Sequence, residues 1–197
     1  MIALDSPNSG VIVTGGGAGI GFACAEALAE VGRSVAIWDI NHQAANQAAE
    51  KLADIYQVTT IGLGCDVTKF NGYEILINET RQSLGSIGAL VHAAGVSHAV
   101  PIENLEEYDW DFVLDVNLKA YVMLVKALMP DLKINKGSAI VGIASINAIL
   151  GNQINPAYGA SKAGLLSLSR SLADAGAKDN IRVNAICPGY INTCLLY

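Results

Sequence analysis

Six short apolar runs, separated by longer segments of helical spacing, constrain this chain more than any other feature of its sequence. The runs are "VIVT" (11–14), "SVAIWD" (34–39), "VTTIGLGCD" (58–66), "ALVHAAG" (89–95), "SAIVGIAS" (138–145) and "IRVNAICPG" (181–189). None alternates apolar with polar residues, so each reads as a strand covered on both faces, the habit of a parallel sheet. Helical spacing fills the intervals at 20–32, 41–56, 70–85, 106–134 and 156–178. Strand, helix, strand in repetition predicts right-handed crossovers and a doubly wound α/β fold. Hydrophobic residues at 52% and charged residues at 15% supply a large core and leave no disordered composition. With no linker or low-complexity tract, residues 1–197 read as one domain.

The turn after the first run is "TGGGAGIG", Thr14 to Gly21. A glycine-rich strand-to-helix turn brings backbone N–H groups and a helix N-terminus close to a pyrophosphate, because no Cβ intervenes and the helix dipole favours the anion. Such a turn carries weight only where it follows a strand and opens a helix, as this one does. The second run ends in Asp39, eighteen residues beyond Gly21. A carboxylate there accepts both hydroxyls of an adenosine ribose and repels a 2′-phosphate; its alternative use is as N-cap of the helix beginning at Asn41. No Arg or Lys lies in the glycine loop or directly after Asp39, which favours NAD over NADP.

The net charge is −6, and clustered Lys and Arg are missing, so nucleic acid and anionic membrane surfaces are not expected partners. No apolar stretch is long enough to cross a bilayer, and the first residues lack a basic segment followed by an apolar one, so the expected location is cytoplasmic. Cys24, Cys65, Cys187 and Cys194 have no metal-binding spacing; the first three read as buried small hydrophobes, and no metal site is expected.

Tyr158 and Lys162 stand four apart in "NPAYGASKAG" and therefore share a helix face. A phenol with a pKa near 10 is a poor base at neutral pH, and a cation beside it changes that. An ammonium about 5 Å away in an effective dielectric near 20 favours phenolate by about 3 kcal/mol, or roughly two pKa units.

These features together resemble the short-chain dehydrogenases/reductases, from about Gly10 to Thr193. "TGGGAGIG" matches the family's TGxxxGxG, with Gly15, Gly19 and Gly21 on its glycines, and "HAAG" (92–95) stands where the family has N-A-A-G or N-N-A-G. Asn117 matches the family's helix asparagine, Ser145 lies thirteen before Tyr158 as the family's serine does, and Tyr158 with Lys162 forms YxxxK. Pro188 and Gly189, followed by "YINT", resemble its PG motif.

The resemblance implies a Rossmann fold, NAD, and a catalytic set of Asn117, Ser145, Tyr158 and Lys162. Tyr158 would be the base and Lys162 its tuning cation and a ribose ligand; Ser145 would hold the substrate oxygen, and Asn117 a water linking Lys162 to solvent. The implied cofactor contacts are Gly15, Gly17, Gly19, Ile20 and Gly21 in the turn, and Asp39 on the ribose. Asp66 and Val67 would lie on the adenine, Ala94 and Gly95 after the fourth strand, and Pro188, Gly189, Ile191 and Thr193 after the sixth. Ser97, Asn147, Gln153 and Tyr190 resemble substrate-lining positions, beside Ser145. The implied reaction interconverts a small-molecule secondary alcohol and a ketone. Helices at 106–134 and 156–178, apolar on two sides, match the family's dimer helices and imply a homodimer or homotetramer.

Two departures stand out. His92 replaces the asparagine that ties neighbouring strands in the family; a neutral histidine both donates and accepts, so a structural partner is expected, with His92 or His98 as a catalytic base the alternative. The chain stops at Tyr197, whereas family members continue into a substrate loop and a seventh strand, so both are expected to be missing here. A truncated, catalytically weak cofactor-binding or interaction module is accordingly the alternative function.

Overall fold

A computed structural model describes residues 8–135 and 137–193. Cys194 and Tyr197 lie outside the described residues. Six strands, β1 (Gly10–Thr14), β2 (Val35–Asp39), β3 (Thr60–Gly64), β4 (Ile87–His92), β5 (Ala139–Ile143) and β6 (Arg182–Ile186), form one sheet. Every pairing is parallel, in the order β3-β2-β1-β4-β5-β6. The order reverses direction between β1 and β4, and that switch point opens a crevice at the C-terminal ends of the strands.

The helices are α1 (Gly19–Glu30), α2 (His42–Tyr56), α3 (Tyr73–Leu84), α4 (Glu107–Leu114), α5 (Ala120–Ile134) and α6 (Pro156–Gly176). Successive strand side chains point to opposite faces, so β1, β2, β4 and β5 feed two cores, whereas β6, at the sheet edge, departs from the expected two-sided burial: Val183 is buried while Arg182, Asn184 and Ile186 are exposed. Val11, Val13, Val35 and Ile37 meet Ala25 and Ala29 of α1 and Ala45, Ala49 and Leu52 of α2. Ile12, Ala36, Trp38 and Leu90 meet Tyr73 and Ile77 of α3, Tyr121, Leu124 and Leu128 of α5, and Leu165 of α6. Burying each large aliphatic side chain contributes about 1.5–3 kcal/mol, which is why the inner strands β1, β2, β4 and β5 have apolar centres. Alanines on α1 and α2 let those helices lie close to the sheet.

The single helix expected over 106–134 is interrupted. Five residues, Asp115–Lys119, form a π-helical turn between α4 and α5. Its extra residue rotates Asn117 inward to full burial. A hydrophobic pattern does not register such an insertion, because the apolar residues on either side keep helical spacing.

Of the three cysteines described, Cys65 is buried, whereas Cys24 and Cys187 are half-buried. No helix among the described residues is long and apolar enough to cross a membrane, and no group of three or more His, Cys, Asp or Glu among them is arranged to hold a metal.

Candidate active site

The first βα turn is shaped by what glycine lacks. A Cβ on Gly21 would lie 2.1 Å from the carbonyl oxygen of Gly15, so only glycine lets α1 fold back onto the turn. Ala18 at the N-cap offers no capping side chain, and the first turn of α1 carries no acidic residue. The amides opening α1 therefore receive no side-chain cap from Ala18, and the positive dipole end suits an anion. That helix terminus, approached through glycines, suits the phosphates of a dinucleotide. Gly15, Gly17, Gly19, Ile20 and Gly21 all lie in this turn, and Thr193 returns from beyond β6 to place its methyl carbon 3.3 Å from where a Cβ on Gly19 would be.

Asp39 is not the cap of α2. Asn41 holds that place, its Oδ1 accepting from the Ala44 N–H at 3.1 Å. Asp39 accepts instead from the Gly17 N–H through Oδ2 and from the Asn41 N–H through Oδ1, both at 2.9 Å. The carboxylate thus braces the glycine turn, and each oxygen keeps a lone pair for a hydroxyl. Asp66 accepts through Oδ1 from the N–H and the hydroxyl of Thr68. Burial works against its charge, but those two bonds and the Lys69 cation together hold the carboxyl below its ordinary value. Val67 is buried, and its carbonyl accepts from the Tyr73 hydroxyl at 2.6 Å.

At the tip of β4, His92 has the structural partner expected of it: Nδ1 lies 3.0 Å from Thr14 Oγ1, which also accepts from the Ala94 N–H. This joins β1 to β4 beside the crevice. Burial, with the Lys162 charge second, pushes the imidazole down to about 3. It is neutral, and its Nε2 has no hydrogen-bond partner among the described residues. A base reading of His92 does not suit a ring sealed against the Tyr121 face, 5.2 Å between centres. His98 is engaged elsewhere, its Nε2 2.7 Å from Asp109 Oδ1.

The buried Asn117 clamps the loop after β4. Its Oδ1 accepts from the Val96 N–H at 2.8 Å, while Nδ2 donates to the Val96 carbonyl and to Ser161 Oγ, both at 3.0 Å. The side chain is bonded to protein through both its oxygen and its nitrogen, and so ties the loop after β4 to Ser161 of α6. A Cβ on Gly95 would sit 3.2 Å from both Asn117 Oδ1 and Lys162 Nζ, which places these groups around one point.

Ser145, Tyr158 and Lys162 come together at the exit of β5. Ser145 Oγ accepts from the Asn147 N–H at 3.2 Å and lies near enough to the Tyr158 phenol to favour its ionised form. Lys162, 4% exposed, donates from Nζ to the Ile143 carbonyl at 2.9 Å. Burial lowers its pKa to about 8. Burial also raises the Tyr158 phenol, and the Ser145 hydroxyl offsets only part of that. The protein's own groups therefore leave the phenol above its ordinary value, where the sequence reading expected Lys162 to bring it down. The reason is that desolvation disfavours phenolate more than the Ser145 hydroxyl favours it.

The remaining expected positions divide. Ser97 Oγ accepts from Asn155 Nδ2 at 2.9 Å, and Asn147 belongs to the Ser145 turn. Gln153 is exposed and Tyr190 is 91% exposed, so neither is packed into the site's frame. Pro188 accepts from the Ile146 N–H at 2.8 Å, which fixes the segment after β6 against the Ser145 turn, while Gly189 and Ile191 are exposed. Three contributors escaped the sequence reading: Thr14, Asn155 and Ser161. Asn155 alone carried a local signal, as an Asn before a Pro that opens a helix.

A family model described as short chain dehydrogenase matches residues 9–196. "Probable galactose dehydrogenase GalD" of Rhizobium meliloti is 36% identical over 96% of this chain and 74% of its own length. A 3-oxoacyl-acyl-carrier-protein reductase, FabG, of Chlamydia muridarum is 34% identical over 94% of this chain and 75% of its own. Among solved structures, L-sorbose reductase of Gluconobacter frateurii in complex with NADPH and L-sorbose superposes with a TM-score of 0.90. It is 32% identical and is covered over 71% of its chain, against 94% of this one.

Proposed function

The chain belongs to the short-chain dehydrogenase family of oxidoreductases, and from that membership we propose that it interconverts a secondary alcohol and a ketone using NAD(H). The observation that carries the chemistry is the meeting of Ser145, Tyr158 and a buried Lys162 at one strand exit. Ser145 Oγ holds the substrate oxygen and stabilises charge developing there. In oxidation Tyr158 takes the hydroxyl proton, and in reduction it returns that proton to the carbonyl oxygen. Lys162, one turn along α6, holds positive charge beneath the phenol and offers Nζ to the nicotinamide ribose. Asn117 keeps Val96 and Ser161 in place around both. When bound, the nicotinamide takes or gives the hydride at C4 and, in its oxidised form, adds the positive charge that favours phenolate.

The cofactor's phosphates rest on the opening of α1, between Gly15 and Gly21. Asp39 takes the ribose hydroxyls, Asp66 and Val67 border the adenine, and Ala94, Gly95, Pro188, Gly189, Ile191 and Thr193 border the nicotinamide half. NAD is favoured because a 2′-phosphate would meet the Asp39 carboxylate; the sorbose reductase is a relative solved with NADPH, so the preference rests on Asp39. One continuous sheet supports reading residues 1–197 as one dinucleotide-binding and catalytic domain. Exposed Trp110 and Phe112 on α4 support a homodimer or homotetramer built on these helices.

Tyr158→Phe tests the mechanism. It is expected to lower turnover of NAD(H), followed by absorbance over a panel of alcohols and ketones, by about a thousandfold while nucleotide affinity holds. Wild-type turnover in that variant would sink the assignment.

A further inference from the structure

Tyr158 is held through both polar groups of its backbone, and both holds lead to consecutive residues of one loop. The Tyr158 N–H donates to Asn155 Oδ1 at 3.4 Å, and Asn155 Nδ2 donates to Ser97 Oγ at 2.9 Å. The Tyr158 carbonyl accepts from Ser161 Oγ at 2.8 Å; Ser161 Oγ accepts from Asn117 Nδ2, and Asn117 grips both polar groups of Val96. Val96 and Ser97 continue the loop that runs from β4 past Gly95, the residue packed against Lys162 Nζ.

Asn155 is the less expected of the two anchors. An N-cap asparagine needs only its side-chain oxygen to satisfy the helix, and its amide usually faces water. Here Asn155 is 3% exposed, and the amide reaches a residue 58 positions away. Pro156 follows at the first helical position and fixes φ there, so the first turn of α6 has little freedom of its own. The orientation of that turn is therefore set where Asn155 meets Ser97.

We propose that Asn155 is a positioning residue for Tyr158: through Ser97 it sets the first turn of α6 against the β4 loop and so places the phenol relative to Ser145 and Lys162. The proposal rests on Tyr158 being the proton-transfer residue, and it adds a residue that touches neither substrate nor cofactor. It also assigns Ser97 to the frame of the site rather than to substrate contact.

Three variants separate the bridge from the cap. Ser97→Ala removes the bridge and leaves the cap. Asn155→Ser keeps a capping oxygen but is too short to reach Ser97, and Asn155→Asp keeps the cap and accepts from the Ser97 hydroxyl. Ser97→Ala and Asn155→Ser are expected to lower kcat about tenfold or more through phenol misplacement, with KM and nucleotide Kd within about twofold. The double variant Ser97→Ala/Asn155→Ser should be no worse than either single, and Asn155→Asp should recover most of the loss. A second readout does not depend on turnover: with 3-fluorotyrosine incorporated, the ¹⁹F line that disappears in Tyr158→Phe should move or broaden in Ser97→Ala and Asn155→Ser and return in Asn155→Asp. Unchanged kcat together with an unchanged ¹⁹F line, additive losses in the double variant, or nucleotide Kd weakening in step with kcat would each overturn the proposal. If no alcohol or ketone is turned over by the wild type, the functional reading fails, and the ¹⁹F comparison still decides whether Asn155 places Tyr158.

Discussion

Lys162 holds its Nζ 5.6 Å from the centre of the Tyr158 ring while donating to the carbonyl of Ile143 at the end of β5. The cation is tethered to the sheet, and the phenol rides on the helix above it. Their separation is therefore set by how α6 packs on β5. Desolvation raises the phenol and lowers the ammonium, so each suppresses the charge that the other could use.

Replacing Lys162 with Met should trade activity for stability. A buried ammonium brought from 10.5 to about 8 costs the fold on the order of 1–3 kcal/mol once its bond to Ile143 is discounted. The folded pKa lies below the unfolded one, so wild-type stability rises as pH climbs from about 8 to 10.5. Lys162→Met should accordingly be more stable than wild type in urea, with its advantage greatest below pH 8 and shrinking above it. Turnover should fall at least a hundredfold, roughly the loss of the cation's effect on the phenol. A variant less stable than wild type at pH 7 would contradict this.

His92 should impose an acid limit. Its folded pKa of about 3 lies far below the ordinary 6.5, so the unfolded chain takes up a proton between those values and the fold does not. Stability is lost as pH falls from about 6.5 toward 3. His92→Asn removes this titration, and urea midpoints at pH 7 and pH 4.5 should differ less in the variant than in the wild type. Equal differences would place the acid sensitivity elsewhere.

Asp39→Ala should change both selectivity and the turn. Losing the carboxylate removes two hydrogen bonds to backbone amides and the repulsion of a 2′-phosphate. NADH affinity should drop by about 1.5–3 kcal/mol, the size of a charge-assisted bond, while NADPH affinity holds or improves. Fluorescence titration with both nucleotides measures this, and an unaltered NADH-to-NADPH ratio would show that Asp39 does not set the preference.

Gly21→Ala should damage the fold before it damages the chemistry. The new Cβ would lie 2.1 Å from a backbone oxygen, and neither the turn nor α1 can yield by that much without moving the strand behind it. A loss of about 2 kcal/mol or more is expected, read as a fall in melting temperature, with nucleotide affinity lost at the same time. A melting temperature within a degree of wild type would show that the turn is softer than its geometry implies.

Legibility of the fold tracked sequence distance. The strand cores fell within the expected runs or overlapped them closely, as β4 at 87–92 did against 89–95, because burial on both faces leaves a local apolar signature. Two elements were misread: β6, one face of which is exposed, and the helix over 106–134, where the π-turn at Asp115–Lys119 goes with what Asn117 reaches rather than with any local preference. In the site, the glycine turn, Asp39 and the Tyr158–Lys162 spacing were legible, since each depends on neighbours along the chain. The ties from His92 to Thr14 and from Asn155 to Ser97 were not, since they join residues 78 and 58 positions apart.

The sequence by itself determined which segments are strands and helices, where a glycine turn opens α1, and which helix face carries the phenol and the ammonium. These follow from residue spacing against fixed helical and strand periods and from the absence of side chains on glycine. Only the tertiary structure decided that Asp39 braces the turn instead of capping α2, that Asn117 and Asn155 fasten opposite ends of the Tyr158 backbone to Val96 and Ser97, and that burial lowers Lys162 and raises Tyr158. Hydrogen-bond partners are chosen by which strand ends and helix termini the chain path brings together, and a pKa by everything packed around the group, and neither is encoded in local spacing.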